Sequence, residues 1–320
     1  MAFLDFILPS YLRRAKAIDE LIPWLYLKGV STGDFSEALC ALLGPSCQNL
    51  SKDTVMRLKD KWSKEYDSWN QRDLSDEEYV YVWADGIHFN IWLEEHRQCI
   101  LVVMGATLDG KKELIAIKDG VRESEQSWHE IFVELRQRGL KEAPKLAVGD
   151  GALGFWAALR KDWPETIEQR CWVHKTANVL NKVPKSIQGL MKSALHEIFK
   201  AATAKEADKA FDSFVLKFQA KYPKATQCLS KDRSVLLSFY SFPAEHCLHV
   251  RSTNVIESVF ATVRLRHRRT KGSGTARACL AMVFKLCESA SRRWKKLNGY
   301  QLVFHVSNGA KFKDGERIAA

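Results

Sequence analysis

Residues 145–174 constrain the fold of this 320-residue chain more strongly than any other stretch. An apolar run at residues 146–148 lies between Pro144 and Gly149, which is typical of a short buried strand. Asp150 follows the run within a Gly-Asp-Gly sequence. A carboxylate at the carboxyl end of a buried strand faces the crevice where α/β sheets bind ligands, yet Gly-Asp-Gly is also an ordinary turn composition. The stretch predicts an α/β sheet, with Asp150 either in a functional crevice or in a simple turn.

The surrounding chain extends this strand into a mixed sheet. A β-branched and aromatic run predicts a strand that ends on Asp85. Amphipathic spacing predicts helices and a helical insertion between the sheet and a later helix. The predicted strands are residues 79–84, 90–93, 98–107, 112–118, 146–148 and 166–173; the predicted helices include 124–138 and 153–161, with a helical pattern over 186–247. The order β-β-β-α-β-α-β-α fits an α/β fold with a ribonuclease H-like mixed sheet.

The first 75 residues are predicted to be helical. Ser51 can cap a helix whose apolar face includes Trp62 and Tyr66, after a break at a Gly-Pro pair. A helix, a short turn and a capped helix resemble a helix-turn-helix, which would place Lys52 and Arg57 on DNA. A small helical appendage that only packs against the rest of the chain would show the same pattern.

Near the carboxyl end, a helix is predicted to start at Thr253 and to carry Glu257. It leads into a basic run that could be a solvated helix face, although phosphate neutralisation is the more natural interpretation. The basic side chains of this run are Arg264, Arg266, Arg268, Arg269 and Lys271. A further helix is predicted at residues 276–297, followed by a polar tail.

Composition narrows the class of partner and the compartment. The net charge of +11 and the pI of about 9.2 suit a polyanionic partner. The eight cysteines are scattered without a paired framework, which indicates a reducing compartment. No apolar run approaches the ~18 residues of a membrane span, and the first residues lack the features of a signal peptide. We therefore expect a cytoplasmic, nucleoid-associated protein.

The stretch that follows Asp150 resembles the signature of Mutator-type transposases of bacterial insertion sequences. That signature runs from Asp through a Gly and an apolar residue to Pro, Gln or Arg, and ends in Cys-x-x-His. The matching positions are Asp150, Gly154, Phe155, Trp163, Pro164, Thr166, Gln169, Cys171 and His174. Asp162 departs from the pattern, because the family usually has a small residue there.

The resemblance spans nearly the whole chain, from about Ile7 to the tail. Such transposases usually carry a longer amino-terminal region that recognises the terminal inverted repeats of their element. This sequence opens almost at the family's Leu-Pro-x-Tyr segment, here Leu8 to Tyr11. We therefore expect that region to be short or missing, which puts recognition of specific ends in question.

The resemblance also implies the catalytic residues. The family's first Asp ends the first strand, as Asp85 is predicted to do; the second precedes Cys-x-x-His, as Asp150 does; and the third follows Thr-Asn and an apolar pair, as Glu257 does. Three such carboxylates can hold two Mg²⁺ or Mn²⁺ ions for phosphoryl transfer. Spacing alone would not select these three from the 38 acidic residues.

The Cys-x-x-His pair, Cys171 and His174, allows three interpretations. It is half of a tetrahedral zinc site, which needs four ligands. It can instead be a packed strand end, or, as the resemblance implies, a support of the active site with His174 near the scissile phosphate. Trp172 is expected either in the core or stacked on an extruded base. The residues that could complete a zinc site are His246, Cys247 and His249.

These features together predict a D-D-E transposase that cleaves element ends and joins the 3′-hydroxyl to target DNA. Its expected partners are terminal inverted repeats, target DNA and further copies of the chain, with no membrane. The expected regions are a DNA-binding part at 1–75, a catalytic core at 76–185, a helical insertion at 186–250 and the rest of the core at 251–320. A metal-dependent nuclease on the same core and a truncated DNA-binding regulator remain the alternatives.

Overall fold

The computed structural model describes residues 52–89, 98–120, 122–270 and 275–318, together with Leu25, Val30 and Glu37. The side chains at 52–56, 89, 98 and 267–270 are outside this description. The predicted strand at 90–93 and most of the predicted helix-turn-helix also lie outside the described residues. The chain forms two compact units, one from the described parts of Met1–Gln71, His88–Gln98 and Val259–Ala290, the other from those of Arg72–Ile87, Cys99–Ser258 and Ser291–Ala320.

A five-stranded mixed sheet is the centre of the second unit. Its strands are β1 (Tyr79–Phe89), β2 (Gln98–Thr107), β3 (Lys112–Gly120), β4 (Leu146–Gly149) and β5 (Ile167–Arg170), in the spatial order β3-β2-β1-β4-β5. Strands β1, β4 and β5 pair in parallel, and β2 pairs with β3 in the antiparallel sense. The predicted alternation of strands and helices is confirmed over this region.

Both faces of the sheet are covered, as parallel strands require. On one face lie α2 (Glu125–Gln137) and α3 (Leu153–Asp162), which bury Trp128, Phe132 and Phe155 against the strands. Ser124 caps α2 by accepting a hydrogen bond from the backbone N–H of Ser127. Aromatic rings of β1 are fully buried on the sheet, so this strand and β4 have little freedom to move.

Residues 172–250, which include the helical pattern predicted over 186–247, form a series of helices. These are α4 (Trp172–Leu180), α5 (Lys185–Phe199), α6 (Ala204–Phe218), α7 (Pro223–Ser230), α8 (Arg233–Leu236) and α9 (Cys247–Val250), with 3-10 turns at Ser238–Ser241 and Ala244–His246. The buried side chain of Gln169, in β5, ties them to the sheet: its amide donates to the Leu236 carbonyl at 3.2 Å and its oxygen accepts the Phe239 N–H at 2.8 Å.

Three local predictions need correction. The last strand of the sheet ends at Arg170 rather than Val173, because the chain turns at Cys171 and begins α4. Strand β1 does not end on Asp85 but continues to Phe89. The predicted polar tail contains a helix, α12 (Gln301–Ser307), and a small hairpin of β6 (Phe312–Lys313) and β7 (Glu316–Arg317).

The other unit contains α1 (Lys52–Asn70), most of α10 (Asn254–Thr270) and most of α11 (Ala276–Ser291). The rings of Tyr66 and Trp69 on α1 pack against Phe284 on α11, with centroids 5.9 and 5.0 Å apart. An ion pair between Arg277 and Asp67 at 2.6 Å joins the same two helices. None of the described helices is long and apolar enough to cross a bilayer.

Candidate active site

Asp85 and Asp150 lie next to each other because the strands that carry them are parallel neighbours. The paired register ends with Ala84 opposite Gly149; Asp85 is the next residue of β1, and Asp150 directly follows the end of β4. Backbone N–H groups hold both carboxylates: Gly86 donates to Asp85 Oδ1 at 2.9 Å, and Ala152 donates to Asp150 Oδ1 at 2.7 Å. The backbone therefore holds the two aspartates near the carboxyl-terminal side of the parallel pairing between β1 and β4, two neighbouring inner strands of the sheet.

The third carboxylate reaches the site from the first turn of α10. The N–H of Glu257 donates to the Thr253 carbonyl at 3.0 Å, which starts the helix. Glu257 Oε1 lies 3.4 Å from His174 Nε2. One carboxylate oxygen each from Asp85 and Glu257 and one imidazole nitrogen of His174 all lie within 4.8 Å of one another. The carboxylate of Asp150 is not part of that group, although it follows the strand next to Asp85.

Cys171 and His174 are joined to the α10 helix through Thr253. The hydroxyl and the N–H of Thr253 both lie 3.3 Å from Cys171 Sγ, and the same hydroxyl lies 3.3 Å from His174 Nδ1. Cys171 and Thr253 are fully buried, whereas the side chain of His174 is 29% exposed. Cys171 directly follows β5 and precedes α4, and His174 lies in the first turn of α4 with its imidazole directed toward Glu257.

The electrostatics of the cluster are dominated by burial and by the crowding of carboxylates. Burial raises the pKa of Asp85 to about 8; Asp150 and Glu257 act in the same direction, and His174 opposes them. Hydrogen bonds to Cys171 and Glu257 raise the pKa of His174 to about 11. A positive imidazolium therefore offsets part of the negative charge in this arrangement.

A fourth acidic residue, Glu123, lies beside this cluster and was missed by sequence reasoning. Its half-buried side chain lies against Gly86, the residue after Asp85. Burial, followed by the charge of Asp150, raises the pKa of Glu123 to about 7. In the sequence Glu123 stands in a polar Arg-Glu-Ser-Glu run before a helix, which is indistinguishable from a solvated helix start.

Gly154 of the signature is needed because the start of α3 contacts the segment that carries Glu123. A Cβ at this position would lie 2.5 Å from the Glu123 carbonyl oxygen and 2.6 Å from the Glu125 backbone nitrogen. Both are backbone atoms, so neither can rotate away. The signature glycine therefore sets how closely α3 and the beginning of α2 approach behind the site.

Two basic residues next to signature positions, Arg170 and Lys175, are buried and form ion pairs within the chain. Asp232 forms ion pairs with Arg170, at 3.2 Å, and with Lys175. The Lys175 ammonium also donates a hydrogen bond to the Cys228 carbonyl at 2.9 Å. Burial lowers the pKa of Lys175, and Asp232 opposes that shift. Arg170 therefore joins β5 to the helical insertion, and Lys175 joins α4 to α7 and to the residue before α8.

The residues considered as zinc ligands take other partners. His246 uses both ring nitrogens, one 2.7 Å from the Tyr81 hydroxyl and the other 3.0 Å from the Gly299 carbonyl. His249 Nε2 accepts the N–H of Asn298 at 3.1 Å. Cys247 Sγ lies 3.7 Å from the Pro243 carbonyl. Trp172 is 2% exposed and donates its indole N–H to the Leu236 carbonyl at 2.7 Å, so it belongs to the core.

The basic residues predicted to contact DNA divide into three groups. Arg57 and Arg264 are exposed, and the guanidinium of Arg264 lies 5.6 Å from the centre of the Phe260 ring. Arg266 is only 3% exposed, so its side chain is in the interior rather than on a surface that a duplex can reach. The remaining side chains, those of Lys52, Arg268, Arg269 and Lys271, lie outside the described part of the structure.

The fold and the site define a mixed α/β protein with a cluster of carboxylates at one edge of its sheet. Within that class the chain belongs to the Mutator family of transposases, whose family model matches residues 2–297. The resemblance found in the sequence is thereby confirmed, and the chain is a transposase.

Similar proteins agree with this assignment. The transposase of insertion sequence IS6120 from Mycolicibacterium smegmatis is 48% identical over 301 residues, which cover 94% of this chain and 93% of that protein. The transposase of IST2 from Acidithiobacillus ferrooxidans is 48% identical over 279 residues, covering 87% and 94%. Among solved structures, the Drosophila P element transposase strand transfer complex covers 87% of this chain and 85% of its own at 13% identity, with a TM-score of 0.27 that is too low to define a shared fold.

Proposed function

We propose that this transposase cleaves DNA at the ends of an insertion sequence and transfers the 3′-ends to target DNA, with Asp85, Asp150 and Glu257 as its metal-binding carboxylates. The observation that carries the proposal is the convergence of Asp85 and Glu257 within 4.8 Å, beside the strand that leads into Asp150. Asp85 and Glu257 are 172 positions apart in sequence (257 − 85). They meet only because Asp85 on β1 and the start of α10 face each other within one compact unit.

The donor set fits hard divalent cations. Carboxylate oxygens are the ligands that Mg²⁺ and Mn²⁺ take in proteins. Burial, together with the charges of Asp150 and Glu257, raises the pKa of Asp85, and a bound cation would stabilise the charged form of this carboxylate. Two such ions, when bound, supply Lewis-acid stabilisation of the attacking and leaving oxygens in phosphoryl transfer.

The chain's own residues position these groups. The backbone N–H groups of Gly86 and Ala152 orient the two aspartates, and the α10 helix orients Glu257. His174, fixed between Thr253 and Glu257, can donate a hydrogen bond to Glu257 or to a phosphate oxygen. We assign it a role in orienting Glu257 and contacting the scissile phosphate.

The sheet supports a ribonuclease H-like assignment for the catalytic core. Its order β3-β2-β1-β4-β5 has three parallel strands and an antiparallel pair at one side, with the candidate carboxylates on the central β1 and after β4. The proposed partners are terminal inverted repeats, target DNA and other copies of the chain. Arg57 and Arg264 are the exposed basic residues proposed to contact phosphates.

Strand joining on pre-cleaved element ends tests the proposal. Asp85→Asn, Asp150→Asn and Glu257→Gln should each reduce joining by several orders of magnitude, because each removes a charge that holds a cation. Glu197→Gln, at an exposed acid on α5, is the matched control and should join at the wild-type rate.

Three results of this assay, run beside end-cleavage and DNA-binding assays, would contradict the proposal. Near wild-type joining by any one of the folded variants would remove that residue from the site. Cleavage of ends without joining of pre-cleaved ends would instead favour the metal-dependent nuclease, and DNA binding without either reaction would favour the regulator.

A further inference from the structure

A cavity of about 520 Å³ opens beside the candidate active site, within the same compact unit. It lies between α4, α5, α9 and the segment that leads into α10. Its volume is in the range of pockets that hold small organic ligands. Its lining includes Trp172, Val173, Lys192, Phe199, Leu248 and Arg251.

The cavity shares two segments of chain with the active site. Trp172 and Val173 are the residues immediately before His174, and Asn254 is three residues before Glu257, a rise of about 4.5 Å along the helix. The backbone N–H of Trp172 also donates a hydrogen bond to the Arg251 carbonyl at 3.0 Å, which joins the two segments. A strand whose phosphate lies at Glu257 therefore has a neighbouring nucleotide within reach of this cavity.

The lining combines apolar side chains with cationic ones. Trp172 and Phe199 pack with ring centroids 5.2 Å apart, and Val173 and Leu248 leave 48% and 60% of their side chains exposed. The Arg251 guanidinium lies 5.2 Å from the Phe199 ring centre. The described lining contains Lys192, His196 and Arg251 but no carboxylate.

The local charge is positive enough to affect a neighbouring histidine. The pKa of His196 is lowered first by burial and then by the positive charges of Lys200, Lys192 and Arg251. A lining with both apolar and cationic side chains matches a nucleotide, which has an aromatic base and an anionic phosphate. An apolar side chain from a second copy of the protein would contact the apolar lining residues but would bring no negative charge to Lys192 and Arg251.

We propose that this cavity, the α4–α5 cavity, receives one unpaired base of the DNA strand next to the scissile phosphate, with Lys192 and Arg251 contacting the adjoining phosphate. The inference rests on the proposed function and adds a binding site to it. Capture of an unpaired base would hold the strand end open while the carboxylates act on the neighbouring phosphate.

Binding to three element-end duplexes in metal-free buffer tests the inference. The duplexes differ only at the nucleotide next to the cleavage position, which is paired, mismatched or abasic. Wild type should bind the mismatched duplex about tenfold more tightly than the paired one, a difference of about 1.4 kcal/mol. The abasic duplex should lack the gain that comes from the base itself.

Two variants on α4 provide a matched comparison. Ala177→Phe places a ring at a lining position that is exposed, and should abolish the preference for the mismatched duplex. Asn178→Phe adds the same ring at the next exposed position, which does not line the cavity. This variant should retain the preference for the mismatched duplex. Lys192→Ala should reduce the salt slope of binding by about 0.7, the value for one contact to a single strand.

Equal affinity of wild type for paired and mismatched duplexes, or an undiminished preference in Ala177→Phe, would overturn the inference. A change in oligomeric state of Ala177→Phe without a change in preference would assign the cavity to a second copy and also overturn it. The assay contains no metal, so its outcome is independent of whether Asp85, Asp150 and Glu257 are the catalytic residues.

Discussion

His174 Nε2 lies 3.4 Å from Glu257 Oε1, although 83 residues (257 − 174) separate them in the chain. The imidazole is held on its other side by Thr253, the buried residue just before α10. One histidine therefore links the amino-terminal ends of α4 and α10, the two helices that meet at the carboxylate cluster. Loss of this link should misplace Glu257 without removing any proposed metal ligand.

Substitution of Thr253 tests that positioning role. Thr253→Val keeps the shape of the side chain but removes the hydroxyl that contacts Cys171 and His174. We expect a loss of about 1–3 kcal/mol in the free energy of unfolding and a ~10–100-fold loss of strand transfer. Thr253→Ser retains the hydroxyl and should restore most of both. Equal activity of the Val and Ser variants would show that the hydroxyl does not position His174.

Glu123 offers a test of the fourth carboxylate. Glu123→Gln removes an ionisable carboxyl group near Gly86 and Asp150 while keeping the size of the side chain. The divalent-cation concentration needed for half-maximal strand transfer should rise about 10–100-fold, the usual effect of losing a group that orients metal ligands. Glu125→Gln, at an exposed acid two residues further on, is the control. An unchanged metal titration of Glu123→Gln would exclude Glu123 from the site.

Gly154 and Gly189 form a matched pair for testing the packing behind the site. Gly154→Ala places a Cβ 2.5 Å from a carbonyl oxygen and should destabilise the protein by about 1–3 kcal/mol while reducing activity. Gly189→Ala, in α5 with no atom within 4 Å of the added carbon, should stabilise by about 0.5–1 kcal/mol. Urea unfolding measures both. A stable and active Gly154→Ala variant would contradict the close approach of α3 to the Glu123 segment.

The sequence predicted the sheet well because its strands carry strong local patterns. Residues 79–84 and 98–107 are almost entirely apolar, β-branched or aromatic, and β4 lies between a proline and a glycine. The same reasoning failed at Trp172 and Val173, whose composition favours a strand. There the chain forms a helix because tertiary contacts of Cys171 with Thr253 and of Trp172 with Leu236 stabilise it.

The candidate site was less accessible to sequence reasoning than the sheet. The family signature selected Asp85, Asp150 and Glu257, and their positions in parallel strands and at a helix start follow from the fold. Glu123 has no local signal, since only the packing of α2 against α3 brings it to Asp85. Arg266 belongs to the basic run by sequence, but a helix has two faces and this side chain is on the buried one.

The Cys171 and His174 pair is expected to hold no stoichiometric zinc. The pair provides two ligands, and a structural site needs four; His246 and His249 are engaged elsewhere. Metal analysis of purified protein should find well under one zinc per chain. The Cys171→Ser variant should fold, because a hydroxyl can accept the hydrogen bonds from Thr253. One tightly bound zinc per chain that this variant loses would refute the prediction.

The basic run after Glu257 should contribute to DNA affinity through phosphate contacts. Replacing Arg268, Arg269 and Lys271 together with Ala should weaken binding to all sequences alike, because phosphate contacts carry no sequence information. Each lost contact lowers the salt slope on duplex DNA by about 0.9, so three lower it by about two to three. Arg264→Ala should reduce strand transfer more than binding, because Arg264 follows Glu257 on the same helix.

A charge-matched triple variant separates local contacts from the effect of net charge. Lys205, Lys209 and Lys224 are exposed lysines of the helical insertion, and their replacement with Ala removes the same three charges. Counterion release depends on the cations that touch phosphates rather than on total charge. The insertion variant should therefore keep the wild-type salt slope while the variant in the basic run loses two to three units. Equal slopes for the two variants would mean that the basic run is a solvated surface and that the DNA binds elsewhere on the protein.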